Sequence, residues 1–370
     1  MARGRRDGIL IAGGGLAGSL AALAMARHRP DVPLLIVEER ETFGGEGFRI
    51  TSAAELGEDG ADLVRPLALD SWPGFYVAFP GFSRRLKADL AGIGPDDIHR
   101  AVTQALKPKS YRLGTKVVAV REDALVLDGG ETIKAEGAID ARGATSMSTL
   151  ELLYEARLER DYRFGAPHRV DRPVLVDATV DQGGGLRFFE CVPLSEVRLL
   201  IADVSISERA QPDEGAASRV AAYVKARGWT RPRASGERAA SRPLPMGGDF
   251  AAFWRQSGAR AAKIGLRGGF IHPVTGRTIG DAAATALLLA EQRDFSGAAL
   301  HDLFEAEAKQ LWKKREFLRT ITRSLAEAPP EDRRDMVERL YRLDPGAIQR
   351  LQADRLRLLD RWRVGKAIRG

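Results

Sequence analysis

Apolar and polar residues follow two rhythms along this chain. Gly8-Ile9-Leu10-Ile11-Ala12 is a short continuous apolar run, the pattern of a strand buried on both faces of a parallel sheet. From Ser19 to Arg27 the chain is rich in Ala and Leu and free of breakers, which predicts a helix that Pro30 and Pro33 close off. Leu34-Leu35-Ile36-Val37 predicts the next strand. Residues 116–122 and 124–127 read as strands of a hairpin system with a turn at Gly129-Gly130. Ala138-Ile139-Asp140 is an apolar strand that ends in the Arg142-Gly143 turn. Strands follow at 174–180, 186–192 and 198–205, and helices at 216–227 and 282–292. Residues 299–370 read as three amphipathic helices, separated near Pro329-Pro330 and Pro345-Gly346. Leu351, Leu356, Leu358 and Leu359 form a partial apolar stripe there, suited to packing on the rest of the chain or to a membrane surface.

Composition narrows the class. With 370 residues, 44% hydrophobic and 29% charged, the chain can bury large cores and is expected to form more than one lobe. Its single cysteine, Cys191, forms no internal disulfide and no paired-cysteine metal site, which points to a reducing cytoplasmic setting. The five histidines show no metal-ligand spacing, so no metal is expected. No leader is read from the basic start, and no run of about 18 apolar residues suits a membrane span. The net charge is +7, and from His301 onward there are 17 Lys/Arg against 12 Asp/Glu. That excess suits a solvated helical surface or an anionic membrane face. Without a basic run or nucleic-acid-binding aromatics, no nucleic-acid partner is expected, and no obligate protein partner is evident.

The first forty residues carry the strongest chemical signal. Gly13, Gly15 and Gly18 form G-x-G-x-x-G between the first strand and the first helix, together with Leu16 and Ala17. Glu38 ends the second strand, 25 residues after Gly13. The three glycines act differently. Gly13 makes the tight turn, Gly15 lets backbone approach a pyrophosphate, and Gly18 lets helix and strand pack closely. The helix N-terminus offers free N–H groups, and Glu38 can accept ribose hydroxyls. A dinucleotide is therefore expected. Gly44-Gly45, six residues past Glu38, selects FAD over NAD, because a second Gly pair lets the chain turn beside the adenosine. Asp140, Arg142 and Gly143 are the next candidate contacts. The glycine-rich stretch with Gly268, His272, Pro273, Thr275 and Gly276 is expected at the flavin end, and Asp281 is read as the N-cap of the helix that follows.

These pieces, with Trp72-Pro73-Gly74, Phe79-Pro80, Asp177-Ala178-Thr179-Val180, Pro193-Leu194-Ser195 and Trp312-Lys313-Lys314, occur in an order that resembles the bacterial lycopene β-cyclases. The resemblance runs through the whole chain. It implies an α/β flavoprotein: a Rossmann-like FAD-binding domain of the glutathione-reductase and flavin-hydroxylase type, an antiparallel-sheet substrate domain and C-terminal helices. The FAD-binding domain is placed at 1–70, 96–158 and 262–294, the substrate domain at 71–95 and 159–261, and the helical region at 295–370. It also implies an apolar polyene substrate taken up by a peripheral protein on the inner membrane surface, with NAD(P)H reducing the flavin. The implied reaction is ring closure without net redox change: an acid protonates a terminal alkene, the carbocation closes, and a proton leaves.

On the substrate side the chain departs from that family. The family carries a catalytic Glu-Asp pair after the Leu199-Leu200-Ile201 strand, and here the pair reads Ala202-Asp203. Glu46-Gly47-Phe48-Arg49 replaces the usual stretch after the Gly pair, and Arg277 replaces an aromatic residue. Three readings stay open. In one, the acid has moved to Glu190: a hairpin in one register sets Glu190 opposite Ala202 on the same face, and in another register it faces away. Glu190 otherwise reads as solvated or as paired with Arg187 or Arg198. Asp203 falls on the opposite face and is read as orienting a neighbour. In the second reading, Arg49 and Arg277 line a pocket for a more polar ligand of an FAD- and NAD(P)H-dependent oxidoreductase or monooxygenase. In the third, the reaction is lost and the fold remains.

Overall fold

The computed structural model describes residues 7–144, 146–256 and 260–369. Ile9–Ala12 is the central strand of a five-stranded sheet, flanked in parallel by Leu34–Val37 on one side and Gly137–Asp140 on the other. All four of its residues are buried, as a continuous apolar run requires. Helix Leu16–His28 packs on this sheet and on helix Ile279–Ala290, both Ala-rich, so the two helices approach closely. The predicted hairpin becomes a three-stranded meander, Val117–Arg121, Ala124–Leu127 and Thr132–Lys134.

A second sheet of eight strands is mostly antiparallel. Long strands Leu150–Arg163, Leu186–Ser195, Arg198–Ser207 and Arg233–Gly248 lie side by side at one end. Strand Val174–Asp177 joins them to hairpin Asp70–Phe79/Phe82–Ile93, and strand Arg49–Ser52 completes the other end. Two placements differ from the expected domain limits. Arg49–Ser52 and residues 150–158, assigned to the nucleotide-binding lobe by sequence, belong to this second sheet, the latter as most of strand Leu150–Arg163. The charged residues in Leu150–Arg163 obscured its strand character.

Among the described residues the C-terminal region holds five α-helices rather than three: Gly297–Lys314, Glu316–Glu327, Arg333–Tyr341, Pro345–Gln352 and Leu358–Arg369. Pro345 opens a helix whose N-cap is Asp344, with its side chain accepting from the Ala347 N–H. Asp281 is not the N-cap of Ile279–Ala290, a position Thr278 holds. Asp281 instead pairs both carboxylate oxygens with Arg315, at 2.7 and 2.8 Å, and ties the C-terminal helices to the first lobe. No helix among the described residues is long and apolar enough to cross a membrane.

Candidate functional site

The site begins at the strand–loop–helix of the first forty residues. Gly13 has φ +97°, and a Cβ there would lie 2.7 Å from the Ala141 carbonyl oxygen. At Gly18 a Cβ would lie 1.9 Å from the Gly13 carbonyl, so only glycine allows this helix to sit so close to the loop. Nothing lies within 4 Å of a Cβ built on Gly15, which opens onto a groove of about 550 Å³. Gly15 is the N-cap of Leu16–His28 and makes no side-chain cap, leaving the helix N-terminus directed at the groove. Glu38 accepts the Gly14 N–H at 2.5 Å and the Arg40 N–H at 3.0 Å, so one carboxylate braces the loop while lining the groove. The second Gly pair docks on the first, Gly44 donating to the Gly14 carbonyl at 2.8 Å.

Arg142 and Arg267 stand on the far wall. Asp140 does not line the groove. It is buried and chelates the Arg142 guanidinium at 2.9 and 2.8 Å, with Arg267 Nε 3.4 Å away. Asp140 therefore aims a cation at the groove. Burial lowers the Arg267 pKa, and its buried Nε has no hydrogen-bond partner among the described residues. A bare helix N-terminus, an open glycine floor and an under-satisfied arginine fit an anionic dinucleotide.

Past Leu16, Arg49, Leu266 and Thr278 the groove opens into a chamber of about 270 Å³. One face of the second sheet builds its wall. Register places Glu190, Ala202, Glu159 and Arg238 in one row across four strands, and Leu186, Ile206, Glu155 and Arg242 in another. Arg157 lies on the row between them. Because side chains alternate along a strand, all of these point to the same side. Arg157, only 4% exposed, binds Glu155 at 3.1 Å, Glu159 at 2.7 Å and Glu190. Arg238 pairs with Glu159, and Arg242 with Glu155 at 3.0 Å. Arg277 reaches Glu55 at 3.5 Å.

Charge sets the protonation in this chamber. Burial pushes the Glu190 carboxyl up, but Arg157 and Arg242 outweigh it and hold the group below the usual carboxylate range. Burial raises Glu55, and Arg277 opposes the shift only in part. Burial, reinforced by repulsion from Arg242 and Arg238, lowers Arg49 to about 10, and its guanidinium donates to the Gly44, Glu46 and Gly47 carbonyls.

At Leu175, Glu190, Arg242 and Arg277 the chamber meets an apolar one of about 140 Å³. Phe188, Ile206 and Leu244 come from the sheet; Ile321, Met336, Leu340 and Ile348 come from the C-terminal helices. The three cavities therefore run in series from nucleotide groove to apolar end.

Gly13, Gly15, Leu16, Ala17, Glu38, Gly45, Arg142 and Gly143 all line the groove, while Gly18 and Gly44 shape it from behind. Gly268 does not reach it and packs against the Lys263 carbonyl. His272 is also elsewhere: Nδ1 accepts the Val274 and Thr275 N–H groups, Nε2 faces the Leu351 carbonyl, and burial lowers its pKa to about 3. Pro273 accepts the Thr322 hydroxyl, Thr275 lines the apolar chamber, and Gly276 lines the charged one. Glu190 stands opposite Ala202, but its ion-pair partner is Arg157 rather than Arg187 or Arg198. Asp203 lies on the other face, bound to Arg219 at 2.6 Å and Arg187 at 3.6 Å, and does not meet Glu190. Glu155, Arg157, Glu159, Arg238 and Arg242 were not anticipated. The every-second-residue charge pattern Glu155-x-Arg157-x-Glu159 was the available signal.

Groove, antiparallel wall and helical end define a flavoprotein fold. Among solved structures, the chain is similar to a geranylgeranyl bacteriochlorophyll reductase-like protein from Thermoplasma acidophilum, with TM-score 0.68 and 14% identity, covering 99% of this chain and 96% of that one. It is also similar to a flavin-dependent halogenase from Xanthomonas campestris, with TM-score 0.63 and 14% identity, covering 100% and 94%. The family model described as lycopene cyclase protein matches residues 8–368, and the chain belongs to that family. It is 31% identical over 358 residues to the lycopene beta-cyclase of Pantoea ananas, covering 96% of this chain and 93% of that protein. Identity to the lycopene beta-cyclase of a Paracoccus species is 30%, covering 96% and 92%.

Proposed function

We propose that this protein is a lycopene β-cyclase that binds FAD in the groove and closes the acyclic ends of lycopene into rings without net redox change. The observation that carries this reading is the uninterrupted series of groove, chamber and apolar end in a chain that aligns with lycopene cyclases over nearly its whole length. The groove residues fit FAD: the Leu16–His28 N-terminus and Arg142 would take the pyrophosphate, and Glu38 the ribose. When bound and reduced, an anionic flavin supplies negative charge beside a carbocation. NAD(P)H would be its reductant.

Glu190 is the carboxyl we assign to proton transfer. It faces the chamber at its junction with the apolar end. In its protonated form it gives a proton to the terminal alkene, and as carboxylate it takes one back from the ring. Because Arg157 and Arg242 favour the carboxylate, the protonated form is a small fraction at neutral pH. Asp203 positions Arg219 and Arg187 and takes no part in the chamber.

The C-terminal helix is the membrane contact in this reading. Leu358, Leu359 and Trp362 are 85%, 56% and 62% exposed, and the exposed Arg357, Arg361, Arg363 and Lys366 surround them. Apolar side chains ringed by cations suit an anionic bilayer surface. The same helix packs through Val364 onto Ile321, Leu340 and Leu351, which wall the apolar chamber. The protein would work as a peripheral enzyme on the cytoplasmic membrane face. Expression in bacteria that accumulate lycopene tests the assignment. A change from red to yellow-orange with soluble flavoprotein present supports it; lycopene left unchanged refutes it.

A further inference from the structure

We propose that the charged chamber delivers water to the carbocation, so that the protein also hydrates the isoprenoid end it protonates, releasing a tertiary alcohol alongside the ring. This rests on the reading that Glu190 protonates a terminal alkene in the chamber. Ring closure alone calls for walls that exclude water, because any nearby water oxygen competes for a tertiary cation. Here the walls are charged. Arg49, Arg157, Arg242 and Arg277 line it together with Glu46, Glu159 and Glu190.

A hydrocarbon end cannot dry such a surface cheaply. Stripping water from a guanidinium without replacing its hydrogen bonds costs several kcal/mol. The chamber also provides the polar partners that an internal water needs. Arg277 has five side-chain donors, and its one carboxylate contact among the described residues is the long one to Glu55.

The step balances with water as the only co-reactant. Protonated Glu190 gives its proton to one alkene carbon, the C=C π pair becomes the new C–H bond, and the other carbon is left as a tertiary cation. A water oxygen forms the C–O bond, and its surplus proton returns to the Glu190 carboxylate. If the ring has closed first, the positive charge has moved to another tertiary carbon in the same surroundings, and the same capture applies.

The test uses FAD-loaded protein with chemically reduced flavin, lycopene in detergent, and oxygen excluded, with products weighed by liquid chromatography and mass spectrometry. The expected result includes products one water heavier per reacted end, the added oxygen coming from ¹⁸O-labelled solvent. Arg277→Leu or Arg277→Met, at unchanged flavin content, should lower the hydrated share at least tenfold. Products with the mass of lycopene alone would overturn hydration and leave the cyclase reading standing. Unreacted lycopene would overturn both, because no cation forms. A hydrated share unchanged in both variants would overturn the role of the chamber.

Discussion

Replacing Arg157 by leucine should make the protein less stable and, under acid-limited turnover, faster at pH 7. Arg157 is buried and holds three carboxylates, Glu155, Glu159 and Glu190. Removing one partner of a buried ion pair costs about 3–5 kcal/mol, because the remaining charges stay out of water. Arg238 still serves Glu159, and Arg242 still serves Glu155, so Glu190 is the carboxylate left most exposed to the loss. Burial is the largest influence on Glu190 and pushes its pKa up; Arg157 is the first cation opposing it. In the variant burial prevails, and the carboxyl rises. In the parent, protonated Glu190 becomes tenfold scarcer with each pH unit above its pKa, so the rate falls with rising pH through the neutral range. In Arg157→Leu that falling limb moves to higher pH. The stability difference has its own pH signature. A depressed carboxyl stabilises the fold above its unfolded value of about 4.3 and loses that contribution as pH falls through the folded value. The gap between parent and variant should therefore narrow below about pH 4. Guanidinium unfolding at pH 7 and pH 4, with a pH–rate profile for lycopene conversion, measures both effects. A variant within about 1 kcal/mol of the parent at pH 7, or a limb that stays put or moves to lower pH, would count against this electrostatic picture.

Gly15→Val should fold normally but purify without flavin, since its side chain projects into the groove, whereas Gly18→Val should lose melting temperature because its Cβ meets the Gly13 carbonyl; absorbance at 450 nm and thermal melts separate the two. Changing Leu358, Leu359 and Trp362 together to serine should cut binding to anionic vesicles at least tenfold in a flotation assay without shifting the melting temperature, and unaltered flotation would count against the helix as a membrane contact. Cys191 is buried and its thiol is pushed up to about 12, so iodoacetamide should leave it unmodified at pH 8 until the protein unfolds.

Much of the nucleotide-binding lobe was legible because its signals are local. Glycines that only glycine can replace, a buried apolar run and an acid at a strand end sit within forty residues, and the structure joins them around one groove. The hairpin register that sets Glu190 opposite Ala202 was also within reach, because the turn limits the choices. The cost of a local reading shows at His272 and Gly268. Their stretch carries the family pattern, yet their side chains or backbone serve packing: His272 ties its own turn to the Leu351 carbonyl, and that contact spans 79 residues. The buried charge rows were missed for a related reason. Glu155, Arg157 and Glu159 look like a solvated strand face until strand Arg233–Gly248 brings Arg238 and Arg242 against them. Such compensation between distant strands is invisible to periodicity. The helical end was undercounted because short helices with polar faces, such as Arg333–Tyr341, resemble connecting segments until they cover an apolar wall.

In the proposed reaction this chain forms a carbocation at a polyene end beside a bound flavin, without consuming reductant. Anaerobic incubation of FAD-loaded protein with lycopene in deuterated water, following products by mass and flavin by absorbance, measures this at its source. Turnover is expected only with reduced flavin, with solvent deuterium incorporated at each reacted end and a flavin that remains reduced throughout. Lycopene recovered unchanged from protein loaded with reduced flavin, or product formed in step with flavin oxidation, would defeat the assignment.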